Sequence, residues 1–144
     1  MNLNINYNKQ ENEISGYTNI SLSDKTYLQQ LGEIPVQSCD HVMISDCLNR
    51  VDEEEAKDII NKSCSVLAVN GKISIQLLDF KYFCVSFLSG SLDNNATNSI
   101  VGSTQSVLEI PQVKEILHSN QIKIVNHTIQ HMTTLIDGVK NAIS

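Results

Sequence analysis

Polar groups able to hold a ligand recur at one kind of place in this chain, directly after a short apolar run. Asn6, Tyr7 and Asn8 follow Leu3 to Ile5, and Ser21 and Asp24 follow Thr18 to Ile20. Ser45, Asp46, Asn49 and Arg50 follow His41 to Ile44, and Asp79 and Tyr82 follow Lys72 to Leu78. If each run is a strand of one open parallel sheet, all four groups share a rim beyond the carboxyl ends of the strands, where such sheets bind ligands. Asp79 reads equally well as the N-cap of a following helix. Asp46 and Arg50, four residues apart, read first as an ion pair on that rim and only then as a catalytic pair. His127 and His131 would share a helix face and suit a metal, but no carboxylate or third ligand accompanies them, so no metal is expected. The sequence contains no G-x-S-x-G elbow, no phosphate-binding P-loop and no supported Cys-His pairing.

The runs follow strand and helix periodicities. Asn2 to Asn6 alternates Leu3 and Ile5 with polar residues, and Tyr17 to Leu22 is a second strand entered through Gly16. About ten mostly polar residues separate the two, too few for a helical crossover. Lys25 to Leu31 fits a short helix broken by Gly32 and Pro35. His41 to Ile44 is a compact apolar run, expected as a central strand between those near Leu3 and Lys72. Asp52 then fits an N-cap with Glu55 at capping-box spacing, and Glu53, Glu54 and Glu55 put negative charge at a helix start. Ala56, Ile59, Ile60, Cys64 and Leu67 form one apolar helical face, which Asn70-Gly71 is expected to end. Lys72 to Leu78 completes a βαβ unit, which builds a parallel pair by a right-handed crossover. Phe80 to Leu88 reads as a helix and Ser89 to Ser106 as a loop or short helix. Pro111 to His118 reads as another helix, and Ile122 to Val125 as a strand. From His131 onward the pattern fits a strand and a helix alike.

A length of 144 residues suits one domain over residues 1 to 144. A net charge of −6 and few aromatics, with no Trp, argue against a nucleic-acid surface. No apolar run is long enough to span a membrane, and MNLNINYNKQ lacks a leader pattern, so a cytoplasmic location is expected. Cys39, Cys47, Cys64 and Cys84 have no C-x-x-C spacing and read as buried thiols of a reducing compartment.

Taken in order, LNINYN from Leu3, GYTNIS from Gly16, HVMISDCLNRV, LAVNGKIS and LLDF resemble class I S-adenosylmethionine-dependent methyltransferases. They look most like the compact subgroup with almost no helix between its first two strands. The resemblance covers most of residues 1 to 125 and rests on pattern and order. It implies an α/β, Rossmann-like, mostly parallel sheet with helices on both faces. It also implies a cofactor site drawn from Asn6, Tyr7, Asn8, Ser21, Asp24, Ser45 and Asp46, with Asn49, Arg50, Asp79 and Tyr82 on the substrate side. The departures fall on that site. Asn6, Tyr7 and Asn8 occupy the stretch where the family has Gly-Cys-Gly, and Ser21 stands where it places the acid that binds the ribose hydroxyls. Asn49 and Arg50 stand at its Glu-His position. Only Asp79 matches a family acid directly.

Because three pocket stretches depart together, the first expectation is a methyltransferase-like domain with an eroded S-adenosylmethionine site and a non-catalytic binding, regulatory or subunit role. The alternative is an active methyltransferase with an atypical cofactor loop, Asp24 replacing the ribose acid, acting on a small molecule or glycan; methyl transfer can proceed largely by alignment. A third reading is a module for another nucleotide or metabolite at the same rim. The expected partner is a small molecule or a protein, with no nucleic acid, membrane or metal, and the oligomeric state is open.

Overall fold

The computed structural model describes residues 1–8 and 13–142. Among the described residues six strands form one sheet in the order β2-β1-β3-β4-β6-β5. β1 (Asn2–Asn6), β2 (Thr18–Ser21), β3 (Cys39–Ile44) and β4 (Leu67–Leu78) are parallel, so their carboxyl ends form one rim. β3 lies between β1 and β4, as its apolar run requires. β6 (Thr133–Lys140) runs antiparallel between β4 and β5 (Ile122–Gln130). The helices are α1 (Tyr27–Glu33), α2 (Glu53–Val66), α3 (Phe80–Leu88), α4 (Asn94–Ser103) and α5 (Ile110–Ser119).

Strand alternation sorts the side chains into two unlike faces. Ile5, Ile20, Ile44, Ile75 and Ile136 share one register row and one face. They are buried in a single cluster with Leu31 of α1, Ile59 and Ile60 of α2, and Val113 and Leu117 of α5. The next row, Asn4, Asn19, Met43, Ser74 and Asp137, points the other way. On that side Met43, Leu135 and Val139 are only half-buried, and none belongs to the cluster.

α2 starts at the expected N-cap, the Asp52 carboxylate accepting from the Glu55 amide at 2.8 Å, but the reciprocal half of the capping box gives way to another contact, because the Glu55 carboxylate accepts from the Tyr27 hydroxyl. Its end differs from the sequence expectation. Asn70-Gly71 does not stop the helix, which finishes at Val66 and passes directly into β4, with Leu67 already extended at φ −74 and ψ 128. Asn70, at φ 66, forms a bulge inside β4 beside the register shift between Cys39 and His41. Glycine follows because space is short: a Cβ on residue 71 would lie 2.8 Å from the Ala68 carbonyl oxygen and 2.9 Å from Leu67 Cδ1. The carbonyls at the helix end find other donors. Lys140 Nζ donates to Cys64 O at 2.8 Å and Leu67 O at 3.0 Å, and the Gln37 amide donates to Ser65 O at 3.0 Å.

The segment beyond His131 is a strand. His131 takes φ 56 in the turn, and β6 then pairs on both sides. This also separates the two histidines: His127 lies on β5 and His131 in the turn, so they share no helix face.

Truncating Ile59 or Ile60 to alanine is expected to destabilise the protein by about 2 to 5 kcal/mol each, because both fill the junction of α2 with the sheet. Urea unfolding measures this. Losses below about 0.5 kcal/mol at both sites would mean that this face is open to water.

Candidate functional site

The rim is built first from β1 and β2. Backbone pairing continues past both strands: Leu22 N donates to Asn6 O at 2.7 Å and Ser23 N to Tyr7 O at 3.2 Å. Asn6 and Ser21 are fully buried, Tyr7 is half-buried against the core, and Asn8 is exposed. The Ser21 hydroxyl donates to Tyr7 O at 2.6 Å and lies 2.8 Å from Ser23 Oγ. Asp24 is turned toward α1. One carboxylate oxygen accepts from the Thr26 amide and hydroxyl at 2.9 and 2.8 Å, and the other from Gln30 Nε2 at 3.2 Å.

β3 supplies the middle of the rim. Ser45 is buried, and its hydroxyl donates to Asn4 Oδ1 at 2.7 Å, away from solvent. Asp46 follows with an exposed side chain and a left-handed φ of 45. Protein packed about its base raises its pKa, against the opposing charge of Arg50. The expected Asp46–Arg50 ion pair does not form among the described residues, because Arg50 turns over the Tyr7 ring, 4.9 Å from its centroid. Asn49 holds a neighbouring segment: its carbonyl accepts from Gln105 N at 2.7 Å, and its amide group donates to Thr104 Oγ1 at 3.4 Å.

Asp79 closes the rim at β4 and caps α3. Its Oδ1 accepts from the Tyr82 amide at 3.0 Å and its Oδ2 from Thr134 Oγ1 at 3.0 Å. The structure therefore joins Tyr7, Ser21 and Arg50 in one contact group and places Asp79 and Tyr82 in another. The second group lines an open groove of about 620 Å³, walled by Val85 of α3, by Val107 to Pro111, and by His127 and Ile129 of β5. Volume and apolar walls of this kind are typical of sites for small molecules or apolar side chains.

Reading residue by residue missed a polar chain on the sheet face opposite α1, α2 and α5. The Ser74 hydroxyl has one proton and gives it to Asp137 Oδ1 at 2.6 Å. It must then accept from His41 Nε2, 3.1 Å away, which leaves Nδ1 to accept from the Tyr17 hydroxyl at 2.6 Å. Asn126 Nδ2 donates to Asp137 Oδ2 at 3.3 Å, and Lys72 Nζ lies 3.9 Å from Oδ1. A second chain runs from Ser45 through Asn4 to Asn19, which bonds Ile14 and Tyr17 and so pins the β1–β2 connection. The available signal was the alternation in LNIN and KISIQL, which marks a sheet with one polar face. Three of the cysteines are buried as expected, and burial raises the pKa of Cys39 and Cys47, and that of Cys64 to about 12; Cys84 is only half-buried, on α3. Among the described residues no three His, Cys, Asp or Glu side chains group as metal ligands, and no helix is long and apolar enough to cross a membrane.

This architecture is the methyltransferase-like α/β fold in a single unit. No family model matches the sequence, and no curated protein does. Solved structures match in shape. A S-adenosylmethionine-dependent methyltransferase from Mesorhizobium loti superposes with a TM-score of 0.62 at 10% identity, over 96% of this chain and 90% of that one. Magnesium protoporphyrin IX methyltransferase from Synechocystis, solved with bound S-adenosylhomocysteine, gives 0.58 at 15% identity, over 96% and 74%. An O-methyltransferase family protein from Burkholderia thailandensis gives 0.59 at 17% identity, over 88% of this chain but only 36% of its own length. The chain thus spans about a third of that larger protein, and the likeness is one of fold.

Burial and then the Lys72 charge lower the His41 pKa from its ordinary 6.5, while the Asp137 charge pulls it up in opposition. The folded state therefore favours neutral His41, and this part of the stability is complete above about pH 6.5 and lost as pH falls below it. Melting temperature should fall between about pH 7 and pH 5.5, and less steeply in His41→Gln. An equal slope in both proteins would exclude His41 as the titrating group.

Proposed function

We propose that this chain is a methyltransferase-like domain whose rim no longer holds S-adenosylmethionine and which acts by binding a partner. The observation that carries this reading is the side-chain packing at Tyr7. The resemblance calls for a small residue there between glycines at 6 and 8, which lets the backbone approach a cofactor; here a half-buried ring lies beneath the Arg50 guanidinium. The ribose position supports the same reading. A ribose is best held by a charged acceptor pair, whereas Ser21 offers one buried, uncharged hydroxyl that gives its proton to Tyr7 O, and the Asp24 carboxylate already accepts from Thr26 and Gln30. On this reading these residues do not fit the cofactor, and the rim carries no methyl transfer.

One observation favours a second reading, an active methyltransferase of unusual design. Asp46 holds a strained left-handed φ at the exposed end of the central strand, and such strain gathers at functional sites.

Calorimetric titration with S-adenosylhomocysteine separates the two. The parent protein is expected to give no saturable heat up to about 1 mM and no change in melting temperature, whereas a hundredfold excess over a true dissociation constant would add about 2.7 kcal/mol of stability. A protein carrying Asn6→Gly, Tyr7→Cys, Asn8→Gly and Ser21→Asp is expected to bind at least about tenfold more tightly, each regained charged hydrogen bond being worth about 1.5 to 3 kcal/mol. Tight binding by the parent that the four changes weaken would instead assign Asn6, Asn8 and Ser21 to a working site.

A further inference from the structure

α3 reads FKYFCVSFL, with a single charge, yet only Phe83 and Ser86 are buried. A surface helix ordinarily turns polar residues outward. Here the outer stripe at i, i+4 and i+7 is Lys81, Val85 and Leu88, with Val85 66% and Leu88 82% exposed. Phe80, Tyr82 and Phe87 flank it, each about half exposed. These side chains present on the order of 500 Å² of surface, more than scattered exposure explains.

The groove of about 620 Å³ opens directly beside this stripe, and α3 is one of its walls. Projection and recess are thus parts of the same patch. A two-fold axis alongside α3 would place Val85 and Leu88 of each copy over the groove of the other, which is the condition for an isologous contact. The charges agree with this arrangement. Lys81 and Glu109 line one groove with opposite signs, so in such a pair each copy offers a carboxylate for the other's Lys81 to meet. Counted on both partners, the stripe gives on the order of 1,000 Å², the range of a weak, reversible interface. A lipid surface fits less well, because the stripe has one lysine and the chain a net charge of −6.

We infer that the α3 stripe and its groove form a self-association surface, through which two copies of this chain pair about a two-fold axis. This goes beyond the function proposed above and holds whether or not the rim binds cofactor. Molecular mass reads one claim and titration heat the other, so the two fail separately.

Sedimentation velocity over about 1 to 200 μM tests it. The mass should rise with concentration from 16.0 kDa toward twice that value. Val85→Glu combined with Leu88→Glu should leave a monomer throughout, a loss of at least about a hundredfold in affinity. Lys81→Glu should weaken pairing about tenfold at low salt and less at high salt. Circular dichroism and melting temperature check that the variants are folded. A wild-type protein that stays monomeric at the highest concentration overturns the inference. So does a dimer that persists in the folded double variant, which would assign pairing to another surface. Should the double variant unfold, an unchanged dimer in Lys81→Glu overturns it alone.

Discussion

The ammonium group of Lys140, near the end of the last strand, donates to Cys64 O and Leu67 O at the point where α2 becomes β4. Lys140 is almost fully buried there. A helix that ends without a turn leaves carbonyl oxygens facing apolar surroundings, and each would cost a few kcal/mol unpaired. One cation satisfies two of them and lies favourably at the negative end of the helix. At its other end β6 bonds β4 again, through Asp79 N to Met132 O and Thr134 Oγ1 to Asp79. The antiparallel strand therefore clamps both ends of β4, and with it the junction that carries the rim, α3 and the groove.

How much of this was legible in the sequence depended on whether one local signal decided the outcome. The Asp52 cap, the apolar stripe through Ile59 and Ile60, and the compact run at His41 to Ile44 each have a single local cause, and each lies in the element expected, although β3 begins two residues earlier, at Cys39, and α2 ends earlier, at Val66. Asn70-Gly71 has two uses, a helix stop and a strand bulge. The choice rests with Lys140, seventy residues away, which removes the need for a turn. Residues 133–140 were ambiguous for a similar reason. Thr134, Ile136 and Gly138 fit a strand only because β4 and β5 lie on either side.

On the candidate site, position was legible and commitment was not. The order of the apolar runs is enough to put Tyr7, Ser21, Asp46 and Asp79 on one rim. Which of them still face outward depends on partners from distant elements: Arg50 over Tyr7, Tyr7 O on Ser21, Thr134 on Asp79. The groove was illegible altogether, since residues 107–111, His127 and Ile129 carry no shared pattern, and only the fold brings them beside α3.

The strand order has a consequence for synthesis. β5 is made before β6, yet its pairing runs through β6, which lies between it and β4. A growing chain that has released residues up to Gln130 holds a finished βαβ half whose β4 edge, with Lys72, Ser74 and Gln76 alternating with Ile73, Ile75 and Leu77, has no neighbour. β5 waits beside it with nothing to join. Until residues 133–140 leave the ribosome, two bare edges coexist on one nascent chain, the arrangement most exposed to pairing with other chains and to chaperone capture. The hairpin of β5 and β6 thus covers both edges together, and residues 133–140 are the stretch on which that cover depends.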